Sequence, residues 1–411
     1  MSSVPAPTPG GGPRARTRVL PSPADLLAAL PVPTDVLAWV RNGEGLVGWG
    51  EVARFEPEGP GRFAAADAWW REFAAEVDVH DEVGLPGTGP VAFVSMAFAD
   101  EPGRSVVVVP RVVVGRLGDT TWITEFEPAG PAARSLPVRR PSVLRYAEGE
   151  LSVPGYRAAV RAAVERMRAG EVAKVVLAHD LTAHAEEPVD QRFLLHNLAA
   201  RYPGCWTFAV DGLVGATPEL LLRRQDGRIA SRVLAGTTWP RSDMTLDALA
   251  DALLSSPKDR AEHAYAVRSL AEAIAPFCAD LSVPDEPHVL RLPNVLHLAS
   301  DVSGRAVGHA SLLRLAEAAH PTAAVGGTPT PDALRLIAEL EGMNRGRYAG
   351  PVGWVGADGD GELGIALRCA EVDGDVVRMF AGCGIVADSD PDREVEEAEA
   401  KFRPIRDALE G

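Results

Sequence analysis

The chain has 411 residues, 46% hydrophobic and 24% charged, which is enough apolar material for a sizeable core and excludes a chain disordered throughout. Its net charge of −16 argues against nucleic acid or an anionic membrane as partner, while leaving room for a local basic pocket that binds an anionic metabolite. Four scattered cysteines (Cys205, Cys278, Cys369, Cys383) form no CxxC pair and read as reduced thiols of a cytoplasmic protein, and no apolar run approaches the length of a membrane span.

Residues 1–23, "MSSVPAPTPGGGPRARTRVLPSP", are rich in proline and glycine and lack the apolar segment of a signal peptide, so they are expected to be a disordered tail. A single α+β domain is expected over 24–411. Residues 24–150 supply the β-like runs "VAFVSMAF", "SVVVVPRVVVGRL" and "TWITEF" and one helix near "AAADAWWREFAAEV". No catalytic constellation shows there. From about residue 154 the signals sharpen. "GYRAAVRAAVERMRAG" places Val160, Val164 and Met167 at helical spacing, and "AKVVLAHDL" follows as a strand with Lys174, Val176 and Ala178 on one face. "CWTFAV" and "LVGATPELLLRR" read as a strand pair that holds Glu219 in apolar company. "SSPKDRAEHAYAVRSLAEAIAPF" is a helix with Ser255 or Ser256 as N-cap and Pro257 in its first turn. Two further helices, "HASLLRLAEAAHP" and "PDALRLIAELEGM", precede the strands "YAGPVGWVG", "LGIALRCAEV" and "VVRMFAGCGIV". "DREVEEAEAKFRPIRDALEG" closes the chain as a helix. The mixture lacks a strict βαβ alternation, which favours α+β over a doubly wound sheet.

Only three lysines occur (Lys174, Lys258, Lys401); the other 38 basic residues are arginine. On a solvated surface the two residues do similar work, but arginine cannot replace lysine where a compact ammonium or a deprotonatable amine is needed. The three survivors are therefore candidate functional residues. Two of them stand beside paired acids. Glu394, Glu397 and Lys401 fall on one face of the last helix, and Lys258, Asp259 and Glu262 repeat the stripe on the earlier one. Such stripes also suit solvated faces with i,i+4 ion pairs. As a functional arrangement, four carboxylates from two helices would need a cation between them, and oxygen-only ligands suit Mg²⁺. The glycines before the last helix, "AGCGIV", are expected to form a turn whose free N–H groups seat an anion. Burial raises a carboxylic acid's pKa and lowers an amine's, so Glu219 and Lys174 are a candidate general acid and base.

These segments resemble the chorismate-utilising enzymes: the isochorismate, salicylate, anthranilate and aminodeoxychorismate synthases. The resemblance runs from about residue 154 to the C-terminus. It rests on the ordered motifs "KVVLAHDL", "GATPELLL", "LAGTTWPR", "SSPKDRAEH", "LHLAS", "HPTAAVGGTP", "RYAGPVGW", "IALRCAEV" and "AGCGIVADSDPDREVEEAEAKF". It implies two β-sheets packed as a sandwich with helices outside and the active site between them. It also implies Glu262 and Glu397 as Mg²⁺ ligands with Asp259 and Glu394 nearby. Arg368, Lys401 and the backbone at Gly382 and Gly384 would hold the enolpyruvyl carboxylate of chorismate, and Gly236, Thr237, His297 and Tyr348 would line the pocket. Glu219 corresponds to the acid that protonates the C4 hydroxyl and Lys174 to the base that activates water at C2, giving isochorismate. Ammonia-using members generally lack a lysine at position 174, so a single chain with no glutamine amidotransferase subunit is implied. Members that go on to release pyruvate usually carry threonine where this chain has Ala324, which places salicylate synthase second to isochorismate synthase. A non-catalytic binding protein of the same fold would have lost Lys174, Glu219 or a metal acid, and none is lost. His179 stands where relatives often carry arginine. His297 and His320 read as pocket or packing residues rather than metal ligands.

Overall fold

The computed structural model describes residues 12–21, 25–101, 103–128, 134–240, 243–292, 295–308 and 310–411. The chain builds two large sheets whose neighbouring strands run antiparallel, apart from one parallel edge pair, Arg14–Leu20 with Asp78–Asp81. In order across the 13-stranded sheet lie Arg145–Glu148, Lys174–His184, Val376–Ile385, Cys369–Asp373, Leu213–Thr217, Trp206–Val210, Leu37–Arg41, Glu44–Trp49, Val112–Leu117, Thr120–Glu127, Arg14–Leu20 and Asp78–Asp81. Gly327–Thr328 adds to the free edge of Lys174–His184. The 10-stranded sheet runs Cys278–Ser282, Val295–Ala306, Arg228–Thr238, Leu220–Gln225, Gly361–Ile365, Pro351–Gly356, Val91–Ser95, Val106–Val109 and Ala53–Phe55, with His288–Leu292 paired to Val295–Ala306.

One apolar core joins the sheets, with Trp39 and Phe208 contributed by the first and Phe93 and Leu363 by the second, all at most 1% exposed. Helices cover the outside. Val153–Arg168 and Pro391–Glu410 lie on the strands Lys174–His184 and Val376–Ile385, and Pro257–Ile274 lies on Arg228–Thr238. Their starts follow capping chemistry. Ser152 accepts from the Gly155 N–H, Ser256 from Asp259, and Asp390 from Asp392 and Arg393.

Three expectations from the sequence are corrected. Residues 1–11 and 22–23 of the expected tail lie outside the described residues, but Arg14–Leu20 is a strand. It alternates over its first five residues: Ala15 and Thr17 are fully buried, while Arg14, Arg16 and Arg18 pair outward with Asp78, Glu82 and Glu125. The run "LGIALRCAEV" is two strands, not one, because the chain leaves the 10-stranded sheet after Ile365 and enters the other at Cys369. Gly382 and Gly384 sit inside the strand Val376–Ile385, in register with Ala178 and Val176, rather than in a turn; the turn comes later, at Ala387 and Asp388.

Candidate functional site

Two of the crossings between the sheets are short, and each carries a candidate residue. Pro218 and Glu219 bridge Leu213–Thr217 of the first sheet and Leu220–Gln225 of the second. Ala366, Leu367 and Arg368 make the return crossing, with Arg368 in left-handed backbone conformation at φ 48°. The crossings are tied together, since the Ala216 N–H donates to the Arg368 carbonyl (3.1 Å) and the Ile365 N–H to the Glu219 carbonyl (3.2 Å). Glu219 and Arg368 thereby face one cleft between the sheets. Gly236 borders it at a register shift in the strand Arg228–Thr238, where φ of +77° strains any other residue and a Cβ would stand only 3.1 Å from Asp259 Cβ.

The acid stripes of both helices line the same cleft: Lys258, Asp259 and Glu262 from one, Glu394, Glu397 and Lys401 from the other. Thr237, His297, Ala324, Tyr348, Arg368, Gly382 and Gly384 complete its wall. Lys174 lies just behind, 1% exposed, with Nζ 2.9 Å from Glu262 Oε1. The glycine at 384 permits this contact, because a Cβ there would stand 2.8 Å from Glu262 Oε1 and 3.1 Å from Lys174 Cε. Lys401 Nζ donates to Glu397 Oε1 (2.6 Å) and to the Gly382 carbonyl (2.8 Å). Asp259 is held by Ser256, whose hydroxyl bonds its carboxylate and caps the helix. Thr237 Oγ1 and His297 Nδ1 are 3.0 Å apart, and the Tyr348 ring stacks on Phe380 at 5.1 Å. All three lysines of the chain thus converge on one place, as do all the residues singled out for the site.

Burial sets the electrostatics. Glu219, 5% exposed, has its carboxyl pushed up to about 8 by desolvation, against the pull of Lys174 and Arg368. Glu394 is pushed up to about 7 by burial and by the neighbouring charge of Glu397. For Glu262 burial acts upward too, but Lys174, Lys401 and Lys258 outweigh it and hold the carboxyl below its ordinary range. Burial works against the charge of Lys401 as well, yet the Glu397 carboxylate beside it raises its pKa overall. Burial and the charges of Arg368 and Lys401 keep the His297 ring neutral, lowering its pKa to about 3. His320, in contrast, is outside this cleft; it bonds the Phe98 carbonyl at 2.9 Å and packs on Phe63, a packing role.

The sequence reading missed the apolar wall of Val176, Pro218, Leu234, Ala235, Val325, Ala349 and Leu367, and also Arg345. The apolar residues look like any core strand. Arg345 is one arginine among 38, so nothing marked it. A larger concavity of about 570 Å³ elsewhere on the surface brings Arg54, Arg104 and Arg347 together, but all three guanidinium groups pair with Asp211, and Glu51, Glu56 and Glu371 pair with them as well, so their charge is matched within the protein.

A profile of the chorismate binding enzymes matches residues 130–410. The chain belongs to the chorismate binding enzyme family. Among its relatives, MenF of Mycobacterium tuberculosis is 38% identical over 338 residues, 79% of this chain and 87% of that protein. The salicylate biosynthesis isochorismate synthase of Pseudomonas aeruginosa is 32% identical over 409 residues, 92% of this chain and 85% of its own. The solved structure of MenF, the menaquinone-specific isochorismate synthase of Escherichia coli, superposes with a TM-score of 0.80 over 97% of this chain and 95% of that one; at 24% identity it speaks for the fold.

In this chorismate binding enzyme Glu394 and Glu397 offer donors that suit a hard divalent cation, while Glu262 and Asp259 line the same cleft outside that cluster. Ligand atoms of Cys383, Glu394 and Glu397 lie within 4.8 Å of one another. Burial raises the Cys383 thiol well above its ordinary range, and its Sγ contacts the Glu394 carbonyl at 3.4 Å, so the sulfur stays protonated and the carboxylates remain as donors. The upward push on Glu394 from Glu397 is the mark of two carboxylates crowded together, which a divalent cation relieves. Among the described residues no helix is long and apolar enough to cross a membrane.

Proposed function

We propose that the protein is an isochorismate synthase, which isomerises chorismate to isochorismate, and that it does so with Mg²⁺. The observation that carries the reading is the buried carboxyl of Glu219 on the cleft whose wall residue Glu262 is contacted from behind by Lys174 at 2.9 Å, with burial favouring the protonated form of Glu219. Lys174 takes a proton from a water as the water oxygen bonds to C2 of the ring. The ring double bonds shift, the C4–O bond breaks, and Glu219 gives its proton to the departing hydroxyl, which leaves as water. One water enters and one leaves, so product and substrate are isomers.

Glu262 and Glu397, with Asp259 and Glu394 beside them, would hold Mg²⁺. The ion supplies the positive charge that lets the substrate's ring carboxylate approach the protein's own acids. Lys401 spends two of its three donors on Glu397 and Gly382, which leaves one for the enolpyruvyl carboxylate next to Arg368. Neutral His297, Thr237, Tyr348 and Gly236 flank the ring. Ala324 keeps the wall small and apolar, which suits release at isochorismate without pyruvate loss. With water as nucleophile the chain works alone, without a glutamine amidotransferase subunit. Its product is a starting point for menaquinone or siderophore synthesis.

The test is incubation with chorismate and Mg²⁺, with isochorismate, salicylate and pyruvate separated by chromatography. Isochorismate without matching pyruvate is expected. Pyruvate and salicylate formed as fast as chorismate disappears would make the enzyme a salicylate synthase instead.

A further inference from the structure

The strand bearing Lys174 has a gap along one edge. Gly327–Thr328 pairs with Lys174 and Val175, the Val176 N–H donates to the Gly326 carbonyl (2.8 Å), and Arg145–Glu148 pairs with 181–184. Between these partners no strand is present among the described residues. The gap is filled by side chains from the end of the helix Thr330–Glu341 and the turn after it. Arg345 Nη2 donates to the Val176 carbonyl (2.7 Å), and Glu341 Oε1 accepts from the Ala178 N–H (2.7 Å). The two are an ion pair, with Arg345 Nε 2.9 Å from Glu341 Oε2, and they are 4% and 3% exposed. The same guanidinium donates through Nη1 to the Val325 carbonyl (3.0 Å), and the Phe98 ring lies 4.2 Å beneath it.

We propose that Glu341 and Arg345 are a positioning pair for the reaction: their ion pair sets the spacing between the strand that carries Lys174 and the turn that carries Ala324. This rests on the reading of the cleft as an isochorismate synthase site. Two considerations favour positioning over stability. Burying two charges costs several kcal/mol per ion before pairing repays it, and an apolar pair of similar volume is often as stable or more so. A planar fork, unlike any apolar side chain, fixes two carbonyls at once in one geometry. Those carbonyls belong to Val176, two residues from Lys174 on the same face, and to Val325, next to Ala324; both residues line the cleft. Neither Glu341 nor Arg345 reacts with substrate in this account. They act through the backbone that presents the base and the opposing wall.

The test compares wild type, the double variant Glu341→Gln/Arg345→Met, which leaves no unpaired buried charge, and Arg345→Lys, which keeps the ion pair but cannot hold both carbonyls. Each is assayed for isochorismate formation over a range of chorismate concentrations, with thermal unfolding and amide hydrogen exchange alongside. The double variant should lose about 50-fold in kcat with KM within about 3-fold, and Arg345→Lys about 10-fold, the scale of a misplaced catalytic group. Ala178 amide exchange, read without substrate, should speed up more than about 10-fold in the double variant as its acceptor weakens. Unchanged kcat per folded molecule, or a loss confined to KM or to stability, overturns the inference. If the double variant does not fold, Arg345→Lys decides on the same criterion. A wild type that forms no isochorismate overturns the underlying reading and this inference with it, whereas an active wild type beside fully active variants overturns this inference alone.

Discussion

Glu219→Gln trades stability against activity in a way the structure quantifies. The carboxyl is 5% exposed, and its pKa is raised from its ordinary value of 4.5 to about 8 by burial. An acid whose folded pKa exceeds its unfolded pKa contributes its full stability below pH 4.5 and loses it as pH rises through 8, because the unfolded chain gives up the proton first. Across the interval from pH 4.5 to 7 that loss amounts to about 3 kcal/mol, at 1.36 kcal/mol per unit. Glutamine matches the shape and does not titrate, so the metal-free variant should be the more stable protein at pH 7 to 8, with a Tm higher by a few degrees, and the advantage should vanish near pH 4.5. Its kcat should drop by a factor of about 10² to 10⁴, the range for loss of a general acid. Wild-type kcat/KM should fall on the alkaline side of about pH 8, and the variant's residual activity should lack that limb. Thermal melts from pH 4.5 to 8.5 and steady-state kinetics over the same range provide the measurements. A variant with wild-type kcat, or one that keeps the same alkaline limb, would refute the assignment of the acid. A variant no more stable than wild type at pH 8 would refute the argument from burial.

Stripping the protein with a chelator should abolish turnover and Mg²⁺ should restore it, whereas Glu262→Ala or Glu397→Ala should resist rescue at ordinary Mg²⁺ concentrations; full activity in excess chelator would remove the metal from the account. Lys174→Arg keeps the charge but cannot act as a neutral amine, so kcat should fall by about 10²-fold or more, measured as isochorismate formed. Ala324→Thr adds a methyl and a hydroxyl to the wall and should introduce pyruvate release, with salicylate as co-product, in a lactate-dehydrogenase-coupled assay started from isochorismate; no pyruvate from the variant would free position 324 of that role. His179 lies between Tyr156 (4.5 Å) and Phe402 (5.1 Å) with both ring nitrogens buried and without partners among the described residues, and burial lowers its pKa to about 4. A base with a lowered folded pKa loses stability as pH falls below its unfolded value of 6.5, so His179→Phe should raise Tm at pH 7 and raise it further at pH 5.

The chemistry of the site was more legible in the sequence than its construction. Helical spacing placed Glu394, Glu397 and Lys401 on one face, and period-two alternation aligned Lys174 with Val176, because those are local geometric rules. The crossing at Ala366–Arg368 was invisible because the flanking residues, "GIALRCAEV", are apolar or suited to strands throughout, and only the partner strands decide which sheet each half joins. The strand at Arg14–Leu20 was obscured by the proline and glycine around it, although its own arginines alternate with small residues. The Glu341–Arg345 pair showed only the four-residue spacing of an ordinary helix ion pair. Its meaning lies in the missing stretch of ladder beside the Lys174 strand, which is a property of topology.

The convergence of all three lysines has a practical consequence for chemical modification. On most proteins an acylating or reductively alkylating reagent decorates the whole exterior, and its effect on activity is an average over many sites. Here the side-chain amines are confined to one cleft, with Lys258 exposed and Lys174 almost fully enclosed. Among side chains, an amine-directed reagent should therefore label the cleft alone, with Lys258 the first it meets and the chain's α-amine the one competing amine. Attachment of this enzyme to a solid support through its lysine side chains would block the entrance it needs open, so immobilisation is better directed through the exposed arginines or acids.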